Sequence, residues 1–261
     1  MWLHEGMSSR LIVTGASSGI GRAVAEQAAG RGWEVLAVAR REDRLRKLAE
    51  EIGCRHAALD LTRAADVAEL GRLAADFGAD TLVNIAGGAK GQESISETSD
   101  DDWRWMFEAN VMATKNVIAA TLPQLRASTH DGSYATVMTV TSVAATTPYV
   151  GGSGYNAAKA AEKALSDVLR LELAGEPIRV MEIRPGMVHT EEFSLVRFGG
   201  DESRAAKVYD DVQDPLTADD VARVMTDMLA LPGHVSVDEV TIKPVAQTHP
   251  WIVNKGTLTA R

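Results

Sequence analysis

Three residues at fixed spacing define the chemistry open to this chain. They are Ser142, Tyr155 thirteen positions later, and Lys159 four positions beyond that. All three fall in TVTSVAATTPYVGGSGYNAAKAAEKAL. The segment after Tyr155 is Ala-rich and reads as a helix. Residues four apart on a helix share a face, so the phenol and the ammonium can point into one space. A free tyrosine, with a pKa of about 10, is a poor acid or base at neutral pH. A neighbouring cation favours phenolate and brings such a group toward the working range. Ser142 follows an apolar, β-branched run, Ala135 to Val140, that reads as a buried strand. A hydroxyl at that strand end can hydrogen-bond a substrate carbonyl or alcohol oxygen. A YxxxK match by itself is also what an ordinary helix start would give, so the rest of the chain must decide.

The N-terminal part supplies a second site. Residues 10–21 read RLIVTGASSGIG. Leu11, Ile12 and Val13 form a short buried-strand signal, and a helical pattern starts at Arg22. Between them lie Gly15, Gly19 and Gly21. A strand, a glycine turn and a helix N-terminus together make a phosphate site. The helix start offers unpaired N–H groups and a positive dipole end, and glycines let the backbone approach a pyrophosphate. The spacing is GxxxGxG, which is neither GxGxxG nor a Walker P-loop.

Taken in order, TGASSGIG, Asn84-Ile85-Ala86-Gly87, Asn110, Ser142, Tyr155, Lys159 and Arg184-Pro185-Gly186 resemble the short-chain dehydrogenase/reductase family over roughly residues 8–245. The resemblance implies a single-domain α/β Rossmann fold, with a doubly wound, seven-stranded parallel sheet in the order 3-2-1-4-5-6-7. It also implies an oxidoreductase in which Tyr155 is the general acid/base. Lys159 assists Tyr155 and bonds the nicotinamide ribose, Ser142 holds the substrate oxygen, and Asn110 holds a water in a proton relay. By the same resemblance Gly15, Ser17, Ser18, Gly19, Ile20, Gly21, Asp60, Leu61, Asn84, Ala86, Gly87, Pro185, Gly186, Val188 and Thr190 line the cofactor, together with Tyr155 and Lys159. Asp60 matches the position that meets the adenine ring, and a plain helix N-cap is its other reading. Where the family usually has NNAG, this chain has Ile85 as the second residue.

The second strand ends EVLAVARRED. Sheets that bind NAD usually place an acid here for the ribose 2′-hydroxyl. This chain has Ala39 followed by Arg40 and Arg41. Guanidinium groups suit a 2′-phosphate. The expected cofactor is therefore NADP(H) rather than NAD(H), with Arg40 as the main phosphate ligand and Arg41 and Ser17 assisting. The competing reading is a pair of helix-start arginines facing Glu42 and Asp43.

These sites need a scaffold, and the patterning provides one. Strands are expected over 10–14, 33–39, 55–59, 80–84, 134–141, 178–183 and 238–243, and helices near 20–30, 42–52, 64–76, 100–127, 155–174 and 217–230. Their alternation predicts a parallel sheet with right-handed crossovers. The acids Asp100 to Asp102 and Asp219-Asp220 read as helix N-termini. With 261 residues, 45% hydrophobic, no linker and no repeat, one domain is expected over 1–261, comprising a leader (1–8), a substrate lid (191–214) and a C-terminal tail (246–261). A net charge of −9 argues against nucleic acid or an anionic membrane as partner. One cysteine, Cys54, cannot form an internal disulfide and fits a cytoplasmic protein. Met7 is a second possible start, no apolar run is long enough to span a membrane, and six scattered histidines give no metal site.

The stretches PYVGGSGYNAAK, TEEFSLVRFGGD and LPGHVSVDEVTIKPVAQT resemble the NADP-dependent 3-hydroxy acid dehydrogenase branch. This implies small β-hydroxy acids such as serine or allo-threonine as substrates. Lys90 and Arg197 are the candidate cations for their carboxylate, and Gly199-Gly200 is a turn or hinge in the lid. A reductase of bulkier ketones, aldehydes or amino alcohols, or a non-catalytic dinucleotide sensor, are the alternatives. The intact Ser142, Tyr155, Lys159 and Asn110 argue against the sensor. The resemblance further implies a homotetramer, or a homodimer, formed through the Ala-rich helix after Tyr155 and the helix bearing Trp103, Trp105 and Phe107. The tail, with Trp251 and Ile252, is expected on a neighbouring subunit.

Overall fold

The computed structural model describes residues 9–259. Strand β1 (Arg10–Thr14) is apolar through Leu11, Ile12 and Val13 because both faces of a parallel sheet are covered. Leu11 and Val13 face one layer of helices and Ile12 the other, all three without solvent exposure. The remaining strands are β2 (Glu34–Ala39), β3 (Arg55–Ala58), β4 (Thr81–Asn84), β5 (Ala135–Val140), β6 (Ile178–Pro185) and β9 (Glu239–Ile242). The central ones repeat this burial, and the edge strands β3 and β9 are only partly buried. These seven pair in the order β3-β2-β1-β4-β5-β6-β9, all parallel. The order is the expected one. The last strand carries a higher number because two short strands, β7 (Val188–His189) and β8 (Leu216–Thr217), pair outside the main sheet.

One face is covered by α1 (Gly19–Gly30), α2 (Glu42–Ile52) and α9 (Ala218–Leu229), the other by α3 (Ala64–Phe77), α5 (Ala113–Ala127) and α6 (Ser153–Glu172). The acid runs lie where helices start. Ser99 caps α4 (Asp100–Phe107) by accepting from the Asp102 amide, and Thr217 with Asp220 forms a capping box on α9.

The stretch 100–127 is not one regular helix. Between α4 and α5 lies a π turn, Glu108–Met112. The cause is Asn110, whose side-chain amide donates to the Met106 carbonyl at 2.7 Å. A side chain that takes a carbonyl from the backbone ladder disturbs the helix locally.

Residues 191–214, the expected lid, hold α7 (Phe193–Arg197) and α8 (Glu202–Lys207), joined by a turn in which Gly199 and Gly200 both have positive φ, 63° and 93°. The tail forms a small hairpin, β10 (Gln247–His249) with β11 (Ile252–Val253). The Gly256 amide donates to the Asp211 carbonyl at 2.7 Å, and the Leu258 amide to Gln213 at 2.7 Å, which ties the tail to segment 191–214 of its own chain, while Trp251 and Ile252 stay exposed. The expected leader, with Met7, lies outside the described residues.

Candidate active site

A cavity of about 1200 Å³ opens at the C-terminal ends of the strands, where the order reverses between β1 and β4. Such a switch point is where open α/β sheets bind ligands. The glycine loop forms its floor. Gly15 has φ 69° and Gly19 φ 51°, both left-handed. A Cβ on Gly21 would collide with the Gly15 carbonyl oxygen, so only glycine lets α1 start this close to β1. Ser18 precedes α1 without capping it through its side chain, which leaves the first amides of the helix facing the cavity. Ile20 lines the same wall.

Two arginines follow β2, and they differ. Arg41 reaches back over the loop, donating to Ser17 Oγ at 2.7 Å, to Ser18 Oγ at 2.9 Å and to Glu192 Oε1 at 2.5 Å. Arg44 also donates to Glu192, and Ser18 donates to its other oxygen at 2.9 Å. Burial pushes the Glu192 carboxyl up, but Arg41, Ser18 and Arg44 outweigh it and hold it below its ordinary range. Arg40 is exposed, lines the cavity beside Asp60 and Leu61, and makes no ion pair among the described residues. Neither arginine pairs with Glu42, which bonds His56 at 3.1 Å. Asp60 accepts from the amide and hydroxyl of Thr62 at 3.1 and 2.7 Å. It shapes the loop and does not cap α3, whose N-cap is Arg63.

Asn84, Ile85, Ala86 and Gly87 follow at the end of β4. Thr14 Oγ1 accepts from the Ile85 amide at 2.9 Å and the Ala86 amide at 3.1 Å, pinning this loop to β1. Asn84 is buried and its amide nitrogen has no partner among the described residues. Gly87 packs so close to Asn110 that a Cβ there would strike the Asn110 amide oxygen. Pro185, Gly186, Val188 and Thr190 line the opposite side.

Ser142, Tyr155 and Lys159 all line this cavity. Ser142 stands two residues after β5 and its Oγ accepts from the Ala144 amide at 3.1 Å, which fixes the hydroxyl at the start of a 3₁₀ turn, Val143–Ala145. Tyr155 stands in the first turn of α6, with its ring edge-on to Phe193 of the lid at 5.7 Å. Lys159 is one turn on and 4% exposed. Its ammonium donates to the Val140 carbonyl at 3.1 Å and to Glu162 Oε2 at 2.5 Å. Burial alone would push the Lys159 ammonium down; Glu162, with Tyr155 and Glu182, reverses this and holds it up. Asn110 does not line the cavity surface. It is fully buried behind it, bonded to both the amide and the carbonyl of Gly88 at 3.1 and 2.9 Å.

Of the two candidate cations, only Arg197 lines the cavity. Lys90 lies outside it, 3.5 Å from Asp102 and over the ring of Trp105. Arg197 donates to the Gly91 carbonyl at 3.0 Å, the Tyr149 hydroxyl at 2.9 Å and the Gly151 carbonyl at 3.2 Å. All three acceptors are neutral, and Arg197 makes no ion pair among the described residues. Tyr149, Trp105, Phe193 and Trp251 line the cavity as well and were not singled out as site residues from sequence. Their one signal was their place in the loops that follow β5 and β6, in α4 or, for Trp251, in the turn between β10 and β11, and an isolated aromatic carries no motif.

The family model described as short chain dehydrogenase matches residues 9–197. An uncharacterized oxidoreductase of Mycobacterium tuberculosis is 46% identical over 92% of this chain and 95% of that protein. Sulfoacetaldehyde reductase 2 of Chromohalobacter salexigens is 37% identical over 92% of this chain and 96% of that protein. The closed form of a serine dehydrogenase complexed with NADP+ superimposes with a TM-score of 0.87, at 34% identity over 97% of this chain and 99% of that one. The chain belongs to the short-chain dehydrogenase family and is an oxidoreductase. Among the described residues, no helix is long and apolar enough to cross a membrane.

Proposed function

We propose that this protein is an NADP(H)-dependent dehydrogenase that interconverts a small 3-hydroxy acid, such as serine or allo-threonine, and its carbonyl form. The observation that carries the substrate class is Arg197, a guanidinium in the cavity bonded only to neutral acceptors. A cation left unpaired in a site suits an anionic ligand. The relatives support this. Serine has its carbinol carbon one carbon removed from a carboxylate, and sulfoacetaldehyde has its aldehyde carbon one carbon removed from a sulfonate. In both, an anion and the reacting oxygen stand at the same short separation.

The glycine cradle, the open start of α1 and Arg40 fit a dinucleotide with a 2′-phosphate. Gly15, Ser17, Ser18, Gly19, Ile20, Gly21 and Asn84 to Gly87 hold its phosphates and riboses, and Pro185, Gly186, Val188 and Thr190 face its nicotinamide end. Arg40 meets the 2′-phosphate, since Arg41 is already engaged by Ser17, Ser18 and Glu192. When bound, NADP(H) supplies or accepts the hydride. Tyr155 gives its phenolic proton to the developing alkoxide in reduction and takes the hydroxyl proton in oxidation. Ser142 donates a hydrogen bond to the substrate oxygen as charge develops there. Lys159 stabilises the phenolate through its charge. Asn110 holds the turn that faces Lys159 and completes the relay.

The protein works as a cytoplasmic homotetramer. Ala160, Ala164, Val168 and Leu171 form an exposed stripe of small and apolar residues along α6 that suits close helix packing. Sedimentation showing only monomer would reject this.

Initial rates decide the function. L-serine, L-allo-threonine, 3-hydroxyisobutyrate, isethionate, 2-butanol and an aryl ketone are each assayed with NADP(H) and NAD(H). NADP-linked turnover of the hydroxy acids is expected. Activity confined to uncharged carbonyls would overturn the substrate class, and a preference for NAD(H) would overturn the role of Arg40.

A further inference from the structure

Lys159 does not face the cavity alone. Glu162, one turn further along α6, is 1% exposed and reaches the same ammonium. Both of its oxygens are engaged as acceptors. Oε2 takes a hydrogen from Lys159 at 2.5 Å, and Oε1 takes the hydroxyl hydrogen of Thr114, on α5, at 2.9 Å. An ammonium on one oxygen and a hydroxyl on the other satisfy a carboxylate, so the geometry suits an ammonium beside a carboxylate. An ammonium has three hydrogens. Val140 takes one and Glu162 another, so one remains for the cavity.

A buried carboxylate is costly unless its partners are fixed, and a lysine in this position needs none of its own on α6 to reach the cavity. The chain nevertheless places one there and anchors it from a second helix. We propose that Glu162 is a positioning residue. Fixed by Thr114, its carboxylate holds the Lys159 ammonium against the end of β5 and offsets part of the positive charge that reaches Tyr155. This rests on the assignment of Tyr155 and Lys159 to catalysis made above.

The charged and titratable groups around Glu162 come from every packed element. Lys159 and Tyr155 lie on α6. Glu182 faces it from β6, itself bonded by the Thr141 hydroxyl and 3.8 Å from Lys163. From α5 the Thr114 hydroxyl faces it. Burial pushes the Glu162 carboxyl up, against the pull of Lys159 and Thr114.

The direction of the effect does not depend on which partner loses a proton. Tyr155 and Lys159 interact electrostatically across one helix turn. Loss of the first proton, from either group, makes the pair more negative. A carboxylate next to the pair opposes that step, so neutralising Glu162 must make the step easier.

The test is an ultraviolet difference titration of phenolate on the cofactor-free protein. The chain has four tyrosines, so subtracting the Tyr155→Phe protein in each background removes the other three. In Glu162→Gln, which keeps the side-chain volume, the Tyr155 midpoint is expected to fall by about one pH unit. The acid limb of kcat/KM for alcohol oxidation should fall with it, while the dissociation constant for NADPH stays within about threefold. Glu162→Asp, which keeps the charge, should restore the midpoint to within about half a unit of the parent. Thr114→Val should shift it in the same direction as Glu162→Gln, by less. An unchanged or raised midpoint in a folded Glu162→Gln protein overturns the proposal, as does failure of Glu162→Asp to restore it. The two readings fail separately. A Tyr155→Phe enzyme with full activity would overturn the catalytic assignment whatever the titration shows.

Discussion

Replacing Arg197 by Met should separate anionic from neutral substrates. A guanidinium has five N–H donors. Three are committed, to Gly91, Tyr149 and Gly151, which leaves two for a carboxylate. A hydrogen bond to a charged group contributes about 1.5–3 kcal/mol, and two on one carboxylate do not add fully. A loss of about 2–4 kcal/mol corresponds to roughly a 30- to 1,000-fold drop in kcat/KM. The substitution also removes three bonds to neutral acceptors that tie α7 to the loops after β4 and β5. Those cost about 0.5–1.5 kcal/mol each and act on every substrate alike. The informative quantity is therefore the ratio of kcat/KM for L-serine to that for 2-butanol, measured with saturating NADP+. It should fall by at least about 30-fold in Arg197→Met. In Arg197→Lys, which keeps a charge without the fork, it should fall about tenfold. If both substrates lose activity equally, Arg197 is a lid clamp and the argument from its unpaired charge is wrong.

Other expectations follow from the same geometry. Tyr155→Phe should lower kcat by about 10²- to 10⁴-fold while NADPH fluorescence titration shows binding within about threefold of the parent. Arg40→Ala should weaken NADPH about 10- to 150-fold and leave NADH unchanged, the effect of one lost charge-assisted contact; equal losses for both would move the 2′-phosphate elsewhere. Gly21→Ala places a Cβ against the Gly15 carbonyl oxygen and should lower the melting temperature by about 3–10 °C together with loss of NADPH binding. Glu192 is held below its ordinary range by Arg41, Ser18 and Arg44 against the effect of burial, so its contribution is present above about pH 4.3 and is lost as pH falls through the lower folded value. Proteolysis of segment 191–214 should thus be faster in Glu192→Gln than in the parent at neutral pH, and the gap should narrow as pH falls below about 4.3. A gap that does not narrow with falling pH there would refute it.

The strands and long helices were legible because a parallel sheet demands apolar runs on both faces, as in Leu11 to Val13 and in the largely apolar Ala135 to Val140. The cavity residues were legible where glycine, tyrosine and lysine occur at spacings set by one turn of helix or one tight loop. What the sequence left open has physical causes. The break at Glu108–Met112 turns on Asn110, whose side chain bonds the Met106 carbonyl locally and Gly88 across the fold, and the second contact is in no local propensity. The choice between Lys90 and Arg197 depended on which one an acid already neutralises, and Asp102 is near Lys90 only in three dimensions. The contacts of the tail with Asp211 and Gln213 were not legible, because segment 191–214 has no pattern of its own. Glu162 was visible three positions after Lys159, but a glutamate in a helix normally faces water, and nothing local says that this one is buried.

The π turn has a consequence for which changes of length this chain can tolerate. Each residue of an α-helix turns the chain by about 100° and advances it about 1.5 Å. A π turn stores one residue beyond the regular count. Removing one residue between Glu108 and Met112 takes out that stored residue, so the ladder would close as ordinary α-helix with α4 and α5 still in phase. Trp105, on the cavity wall, and Met106, buried against Gly154, would keep their places. A single deletion here would therefore leave a longer, more regular helix and lose only the wide turn that carries Asn110 to Gly88, whereas a residue removed from the regular part of α5 would turn α4 by about 100° and misassemble the pocket wall.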